Sequence, residues 1–340
     1  MSAATALYVA PIEERLKAQA YGLGFDLAGI ARLGPAETAD AFDAWLARGY
    51  AGDMTYLPRW AEKRHDTRLP FPGVSSALVV GMNYGGTEPS GPVARYARGD
   101  DYHDVMQRKL VELHRWLERE LGRAIHGKAY VDTGPILERD LARRAGLGWF
   151  GKNTNLLNPR LGSYFFLGSL LVDLDLTPDE PFETDHCGSC TRCLEACPTR
   201  ALVEPGVLDA TRCISYLTIE AKGDIPIELR PQIGELLYGC DICQDVCPWN
   251  EKFSRPATEP AFAPRDSLGG KDARTLAREI LAMSDEEFRV AFRGSPMKRA
   301  KLAGLKRNAA VVLGNVGATE DIDVLTPRRD VSVAPSAPAP

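Results

Sequence analysis

The placement of cysteine most constrains this chain of 340 residues, because all eight cysteines lie between Cys187 and Cys247. A disulfide framework would spread its cysteines through a small secreted domain. The N-terminal stretch MSAATALYVAPIEERL also lacks the basic start of an export signal. We therefore expect a cytoplasmic protein whose thiols are reduced and bind metal.

The spacing of the thiols is typical of bacterial ferredoxins. CGSCTRCLEACP reads C-x2-C-x2-C-x3-C-P, and CDICQDVCP repeats its last three cysteines, with Cys213 displaced upstream as the missing first one. In this pattern the fourth cysteine of each run binds the neighbouring cluster. The sequence thus predicts two 4Fe–4S clusters, the first bound by Cys187, Cys190, Cys193 and Cys247 and the second by Cys197, Cys213, Cys240 and Cys243.

The main alternative for these cysteines is a pair of structural zinc sites, since zinc also binds four thiolates. Such sites usually consist of two C-x2-C knuckles, and they have no use for a third cysteine two residues further on or for paired Cys-Pro endings. The pattern therefore favours iron–sulfur clusters. A purely structural role for the clusters stays open, but two adjacent clusters form a short path for single electrons.

The rest of the chain predicts a soluble α+β or α/β protein of several segments. Hydrophobic residues make up 44%, and we find no apolar run of about 18 residues that would span a membrane. Helices are predicted over 11–24, 101–122 and 135–146, and strands over 75–84 and 161–176, the last broken near Gly168. We divide the chain into an α/β domain (1–180), a ferredoxin-like module (181–254), a short helical region similar to one HEAT-like repeat (268–320) and a disordered tail (328–340).

Asp132 stands where a predicted strand gives way to a helix. In α/β folds ligands bind at this carboxyl edge, and a shielded carboxylic acid with a raised pKa would donate a proton there. Because aspartate is also favoured just before a helix, the residues by themselves favour a helix cap.

Two other motifs are weaker. GLGWFG (146–151) follows a helix rather than a strand, so we interpret it as a turn with close backbone approach. DYHDVM (101–106) begins like a D-x-H-x-x-G cobalamin motif, but Met106 replaces the glycine. This favours the first turn of a helix with His103 on the surface.

Positive charge is concentrated near the C-terminal end of a chain whose net charge is −5. No Asp or Glu occurs between Arg289 and Thr319, whereas seven basic residues do: Arg289, Arg293, Lys298, Arg299, Lys301, Lys306 and Arg307. Contact with a phosphate backbone and a solvated helix face are equally compatible with this pattern. A second basic group, RWAEKRHDTR (59–68), is suited to a phosphate or a cofactor rich in carboxamides.

Several stretches together resemble the epoxyqueuosine reductases. They include EKR (62–64), GDDYHDV (99–105), VDTGPILERDLARRAGLGWFGKNTNL (131–156) and the eight-cysteine runs. The resemblance implies reduction of epoxyqueuosine to queuosine at the tRNA wobble position, with cobalamin and two 4Fe–4S clusters as cofactors. It also implies that Asp132 donates the proton and that cobalamin is contacted by Arg64, Asp132, Leu156, Leu157, Asn158 and Ser215.

The same resemblance implies that the partners are tRNA and an electron donor, and that the basic stretch touches tRNA. We expect a monomer that does not bind membranes. A cobalamin-dependent reductase of a small molecule, like the reductive dehalogenases, is the alternative; it would share the cofactors but not need the basic stretch. A plain electron carrier would not need the 180 residues before the clusters.

Overall fold

The computed structural model of the chain describes residues 10–86 and 90–325. Its strands are β1 (Leu27–Arg32), β2 (Ser76–Asn83), β3 (Gly127–Tyr130), β4 (Trp149–Phe150), β5 (Leu156–Leu157), β6 (Phe165–Val172), β7 (Leu202–Glu204) and β8 (Val207–Leu208). Its α-helices are α1 (Ile12–Gly22), α2 (Ala39–Ala47), α3 (Tyr56–Arg59), α4 (Ala61–Arg64), α5 (Tyr102–Leu121), α6 (Glu138–Arg144), α7 (Arg192–Ala196), α8 (Ile214–Ile219), α9 (Arg230–Ile233), α10 (Ile242–Asp245), α11 (Pro248–Phe253), α12 (Ala273–Ala282), α13 (Asp285–Ala291), α14 (Lys301–Val316) and α15 (Ile322–Leu325).

A four-stranded sheet in the order β1-β2-β6-β3 forms the centre of the N-terminal half. The predicted mixture of helices and strands is confirmed, but all three pairings are antiparallel. The rule for carboxyl ends of parallel strands, which we applied to Asp132, therefore does not describe this sheet. β6 also runs unbroken through Gly168, where an added Cβ would lie 3.1 Å from Met106 and from Leu110.

Helices cover both faces of the sheet. On one face α5 buries Leu110, Leu113 and Leu117 together with α1, and on the other α6 buries Leu141. β2 alternates between these two cores, which is why its side chains are buried along the whole strand. The regular apolar spacing in 101–122 predicted α5 correctly, whereas α6 begins at Glu138, three residues after the predicted start at Pro135.

The GLGWFG stretch is a turn with close backbone approach, as predicted. Gly148 has a φ of 157°, and an added Cβ there would lie 2.0 Å from the carbonyl oxygen of Leu157. The turn leads from α6 into the β4–β5 hairpin. It therefore brings residues 149–157 against the cysteine-rich module.

The remaining segments pack around the cysteines. In the cysteine-rich part, α7 and α10 contact each other, and each of these short helices carries one cysteine, Cys193 or Cys243. In the C-terminal part α12 packs on α14 over a core that includes Phe292 and Leu305, which confirms the predicted helices. The predicted tail over 328–340 lies outside the described residues. Within 10–86 and 90–325, we find no helix with the length and apolarity that a membrane crossing needs.

Candidate active site

Four of the eight free thiols belong to one set, of which three are partly exposed and Cys247 is buried. Burial raises the pKa of Cys193, and the negative charges of Cys187, Cys247 and Cys190 raise it further. The other three thiols are therefore within electrostatic range of Cys193. Exposed residues flank Cys187 and Cys190. We call this set the outer group: Cys187, Cys190, Cys193 and Cys247.

The other four thiols form a deeper set. Burial raises the pKa of Cys240 to about 12, with contributions from the charges of Cys213 and Cys197. Burial also raises the pKa of Cys243 well above its ordinary value. The charge of Cys240 adds to this effect, and so does the charge of Cys193, which belongs to the outer group. The two sets are therefore neighbours. We call the second set the inner group: Cys197, Cys213, Cys240 and Cys243.

A short loop between β4 and β5 braces both groups. The ammonium group of Lys152 donates hydrogen bonds to the carbonyl oxygens of Gly188, at 2.6 Å, and Cys190, at 2.9 Å. The side-chain amide of the next residue, Asn153, donates to the carbonyl oxygen of Cys243 at 3.0 Å. Neither Lys152 nor Asn153 was predicted to have a role from the sequence. The available signal was the GKN sequence inside the 131–156 stretch that carries the family resemblance.

A cavity of about 1180 Å³ lies beside the inner group. We call it the central cavity. Its wall combines residues from the N-terminal half, the cysteine-rich part and the C-terminal part, among them Asp132, Cys213 of the inner group and Lys298. One thiol ligand and the predicted proton donor thus face the same space.

Asp132 lies at the wall of this cavity, in the turn that connects β3 to α6. It follows β3 with a φ of 58°, a left-handed conformation that costs a non-glycine residue about 1 kcal/mol. Its backbone N–H donates to Oε1 of Glu138 at 2.8 Å, and its Oδ2 atom lies 3.3 Å from Nε2 of His103. The cavity walls surround the carboxylate, yet 62% of the side chain faces the open space. It is therefore in reach of a molecule in the cavity.

The DYHDVM stretch forms the first turn of α5, as predicted, but His103 is not on the outer surface. Asp101 is the helix N-cap and accepts the backbone N–H of His103 at 3.1 Å. The same carboxylate lies 2.7 Å from Nδ1 of the imidazole, which turns the ring into the central cavity. The prediction of a surface histidine was wrong because Asp132, which is 29 residues away in sequence, holds the other side of the ring.

The charge state of Asp132 differs from our expectation. Burial acts to raise its pKa, but hydrogen bonds from His103 and Tyr102 and the positive charge of His103 outweigh burial, so the pKa is lowered. His103 changes in the opposite sense: burial acts to lower its pKa, but Asp101 and Asp132 raise it to about 9. At neutral pH the carboxylate is ionised and the imidazole carries the proton.

The predicted cofactor contacts divide into two sets. Arg64 and Ser215 both line the central cavity. Arg64 is 7% exposed and donates to the carbonyl oxygen of Trp60 at 3.2 Å, while the backbone N–H of Ser215 donates to the Cys213 thiol. The second set is buried in and after β5 and does not line the cavity in the described part of the chain: Leu156, Leu157 and Asn158.

The basic stretch does not form one uniform patch. Arg307 donates to the carbonyl oxygens of Ala221, Gly223 and Leu217 at 2.6–2.8 Å, so it joins α14 to the end of α8. Arg299 forms two hydrogen bonds of 2.9 Å with Glu220 on the cavity wall. Arg299 and Arg307 thus make hydrogen bonds within the fold, whereas Lys298 lines the cavity.

An aromatic side chain with two cations stands at the edge of the same cavity. Trp60 is 40% exposed, with the guanidinium of Arg59 at 5.1 Å and the ammonium of Lys63 at 4.8 Å from its ring. This arrangement belongs to the second basic group of the sequence. It presents an apolar ring face together with positive charge.

A cavity lined by the Cys213 thiol and the Asp132 carboxylate, next to a cysteine-rich segment, fits an iron–sulfur oxidoreductase. Residues 186–250 match the family described as "4Fe-4S double cluster binding domain", so this part binds two 4Fe–4S clusters. Residues 64–133, which include Arg64 and Asp132, match the family described as "Epoxyqueuosine reductase QueG, DUF1730".

Whole-chain relatives agree with these matches. The chain is 42% identical over 298 residues to epoxyqueuosine reductase of Cellulophaga algicola, covering 86% of this chain and 95% of the relative. It is 40% identical over 321 residues to epoxyqueuosine reductase of Escherichia coli K12, covering 92% and 83%. A crystal structure of epoxyqueuosine reductase with an epoxyqueuosine-modified tRNA-Tyr stem loop superposes with a TM-score of 0.82 at 33% identity, covering 92% and 84%. The chain belongs to the epoxyqueuosine reductase family.

Proposed function

We propose that this protein reduces epoxyqueuosine to queuosine at the wobble position of tRNA. Opening an epoxide to an alkene releases water and consumes two electrons and two protons. The observation that carries the proposal is that Cys213 of the inner group and Asp132 line one cavity. An electron source and a proton-handling group therefore meet at the place where a substrate would react. The family relatives named epoxyqueuosine reductase support this choice of substrate.

We infer that electrons enter through the outer group and leave through the inner group. The proposed ligands are the outer four thiols for one cluster and the inner four for the other. The exposed residues around Cys187 and Cys190 support an entry point at the surface, where an electron donor docks. The charge of Cys193 raises the pKa of Cys243, and this electrostatic interaction supports electron transfer between adjacent clusters.

We also infer that the central cavity holds cobalamin. Its volume of about 1180 Å³ exceeds the roughly 300–1,000 Å³ of common ligand pockets, which supports a cofactor larger than a typical small molecule. Arg64 and Ser215 are the wall residues we assign to it. When bound, cobalamin would supply a low-valent cobalt centre that stores electrons received singly. His103 is held by Asp101 and Asp132, which supports binding without a histidine ligand to cobalt.

The edge of the cavity suits the anticodon loop of the RNA. Bases that are splayed out of a loop stack on aromatic side chains, and phosphates pair with lysine and arginine. Trp60 with its two neighbouring cations offers the first contact, and Lys298 offers the second. Because tRNA is the substrate, we expect the protein to act in the cytoplasm. We also expect it to act as a monomer.

The function is tested by mixing anaerobically reduced protein and cobalamin with tRNA that carries epoxyqueuosine. Mass spectrometry of the digested nucleosides should show the epoxide nucleoside replaced by one that has lost one oxygen. Reactions without cobalamin should leave the epoxide intact. Unchanged nucleoside with protein that contains both clusters would contradict the proposal.

A further inference from the structure

The imidazole of His103 is fixed on three sides at the wall of the central cavity. Asp101 holds Nδ1 at 2.7 Å, Asp132 holds Nε2 at 3.3 Å, and the ring of Tyr102 stacks on the imidazole at a centroid distance of 4.0 Å. An ionised carboxylate only accepts hydrogen bonds, so a carboxylate at each ring nitrogen is the pattern of a doubly protonated imidazole. The geometry therefore joins the helix cap Asp101 to the cavity carboxylate through one protonated ring.

Charged groups from every neighbouring element act on this line of side chains. Lys298 attracts the carboxylate of Asp101, the positive charge of His103 acts on Glu138, and Arg139 attracts Asp132. The phenol of Tyr102 also hydrogen-bonds to Asp132. The charge of Asp132 also acts to raise the pKa of Tyr56 on α3. The facing groups are thus Tyr56, Asp101, Tyr102, Asp132, Glu138, Arg139 and Lys298.

We propose that His103 supplies the proton that Asp132 delivers to the departing oxygen, and that Asp101 is the positioning residue for His103. The inference rests on the proposed function. It adds a second member to the proton-handling machinery, one that the sequence analysis assigned to the protein surface. It also explains how an ionised Asp132 acts as an acid, since its proton arrives from the neighbouring imidazolium.

The proton transfer balances as follows. The N–H bond at Nε2 of His103 breaks as an O–H bond forms at Oδ2 of Asp132, and that proton passes to the departing oxygen. The two electrons come from the clusters. The same transfer serves for the second proton, which converts the released oxygen into water. Between the two transfers the imidazole, with 31% of its side chain exposed, is protonated again by solvent.

Glu138 is less suited to this task, although it also lies beside Asp132. The Oε1 atom of Glu138 accepts the backbone N–H of Asp132 and does not contact the Asp132 carboxylate in this bond. Oδ2 of that carboxylate faces His103 instead. Proton transfer needs hydrogen-bond contact between the two exchanging groups. His103 has that contact with the carboxylate that faces the cavity.

The inference is tested by single-turnover rates of wild type, His103→Gln and Asp101→Asn between pH 5 and pH 10. The wild-type rate should fall as the pH rises through about 9, where His103 loses its proton. His103→Gln should lower the rate at pH 7 by about 10²-fold, the lower end of the range for a lost proton donor. Its remaining rate should rise only toward acidic pH, where Asp132 takes a proton from water. Asp101→Asn should move the wild-type decline to lower pH.

His65→Gln is the matched control, because His65 also pairs with an aspartate, Asp43, at 3.0 Å but does not line the central cavity. An activity-independent readout is the NMR titration of the oxidised holoenzyme labelled with ¹⁵N-histidine. The chain has five histidines, and the His103 signal is the one missing in His103→Gln. Its midpoint should lie near 9, and Asp101→Asn should lower it.

Three results would overturn the inference. The first is a His103→Gln variant with the rate and pH profile of His65→Gln. The second is a His103 signal that titrates at or below the ordinary pKa of about 6.5. The third is an inactive wild type that contains both clusters and cobalamin, which would overturn the proposed function as well. The first two results with an active wild type would leave the proposed function standing.

Discussion

The carboxylate of Glu138 accepts the backbone N–H of Asp132 at 2.8 Å, so the first residue of α6 holds the residue that points into the central cavity. This bond supports the left-handed φ of 58° at Asp132. Such strain persists at functional sites where the surroundings stabilise it. The short segment between Asp132 and Glu138 is therefore a closed loop with a specific shape.

A first prediction concerns the pH dependence of stability. Burial and the charge of Asp132 raise the pKa of Glu138 to about 8, whereas an unfolded glutamate titrates near 4.3. Between these values the folded state holds a proton that the unfolded state has lost, so the contribution of Glu138 to stability falls as the pH rises from about 5 to 8. Glu138→Gln removes this dependence.

Thermal unfolding checks this prediction. The Tm of wild type minus that of Glu138→Gln should be larger at pH 5.5 than at pH 8.5. Glu112→Gln, on the exposed side of α5, should show a constant difference from wild type. A constant difference for Glu138→Gln as well would contradict the proposed burial effect.

A second prediction concerns Asp132 itself. Asp132→Asn keeps the shape of the side chain but removes the group that passes on a proton, so the turnover rate should fall by about 10²–10⁴-fold. The iron content should not change, because the side chain does not contact the thiols. Turnover is measured by mass spectrometry of the nucleosides. A rate within twofold of wild type would remove Asp132 from the mechanism.

A third prediction concerns the brace at the outer group. Lys152→Gln weakens the hydrogen bonds that hold the carbonyl groups of Gly188 and Cys190, so the outer cluster should be lost more readily on exposure to air. The decay of iron absorbance should be faster than in wild type. Lys128→Gln, an exposed residue of β3, should decay like wild type. Equal decay in both variants would show that the brace is dispensable.

A fourth prediction separates two members of the basic stretch. Arg307→Gln leaves up to three carbonyl groups without a donor and should lower the free energy of unfolding by about 1–3 kcal/mol. Lys298→Gln should leave that free energy unchanged but weaken tRNA binding and reduce the salt slope of binding by about one.

Chemical denaturation and RNA titrations at several salt concentrations measure these two effects. If Lys298→Gln binds tRNA like wild type at every salt concentration, the cavity edge does not contact the phosphate backbone. If Arg307→Gln is as stable as wild type, its hydrogen bonds to the end of α8 add nothing to the fold.

Local patterns in the sequence predicted the elements that depend on neighbouring residues. The spacing of the eight cysteines predicted a double-cluster domain, which the family match confirms, and apolar spacing predicted α5. The antiparallel strand order was not predictable in this way, because it depends on which strands pair across long connections. The lowered pKa of Asp132 and the place of His103 also depend on contacts between residues far apart in sequence.

The bracing residues were missed for a related reason. Lys152 and Asn153 donate hydrogen bonds to backbone carbonyl groups 36 to 90 residues away. Every residue has such a carbonyl group, so the sequence does not indicate which ones are bound. Leu156 to Asn158 were assigned to cofactor binding by resemblance, and their burial behind the cavity wall follows from the β4–β5 hairpin.

The central claim is that two clusters pass electrons toward the cavity that contains Asp132. Anaerobic iron analysis of the purified protein tests it most directly, together with the same analysis of Cys213→Ser. Wild type should contain about eight irons per chain, and Cys213→Ser should retain the outer cluster while losing iron from the inner one. About two zinc ions per chain, with no iron in either protein, would contradict the claim.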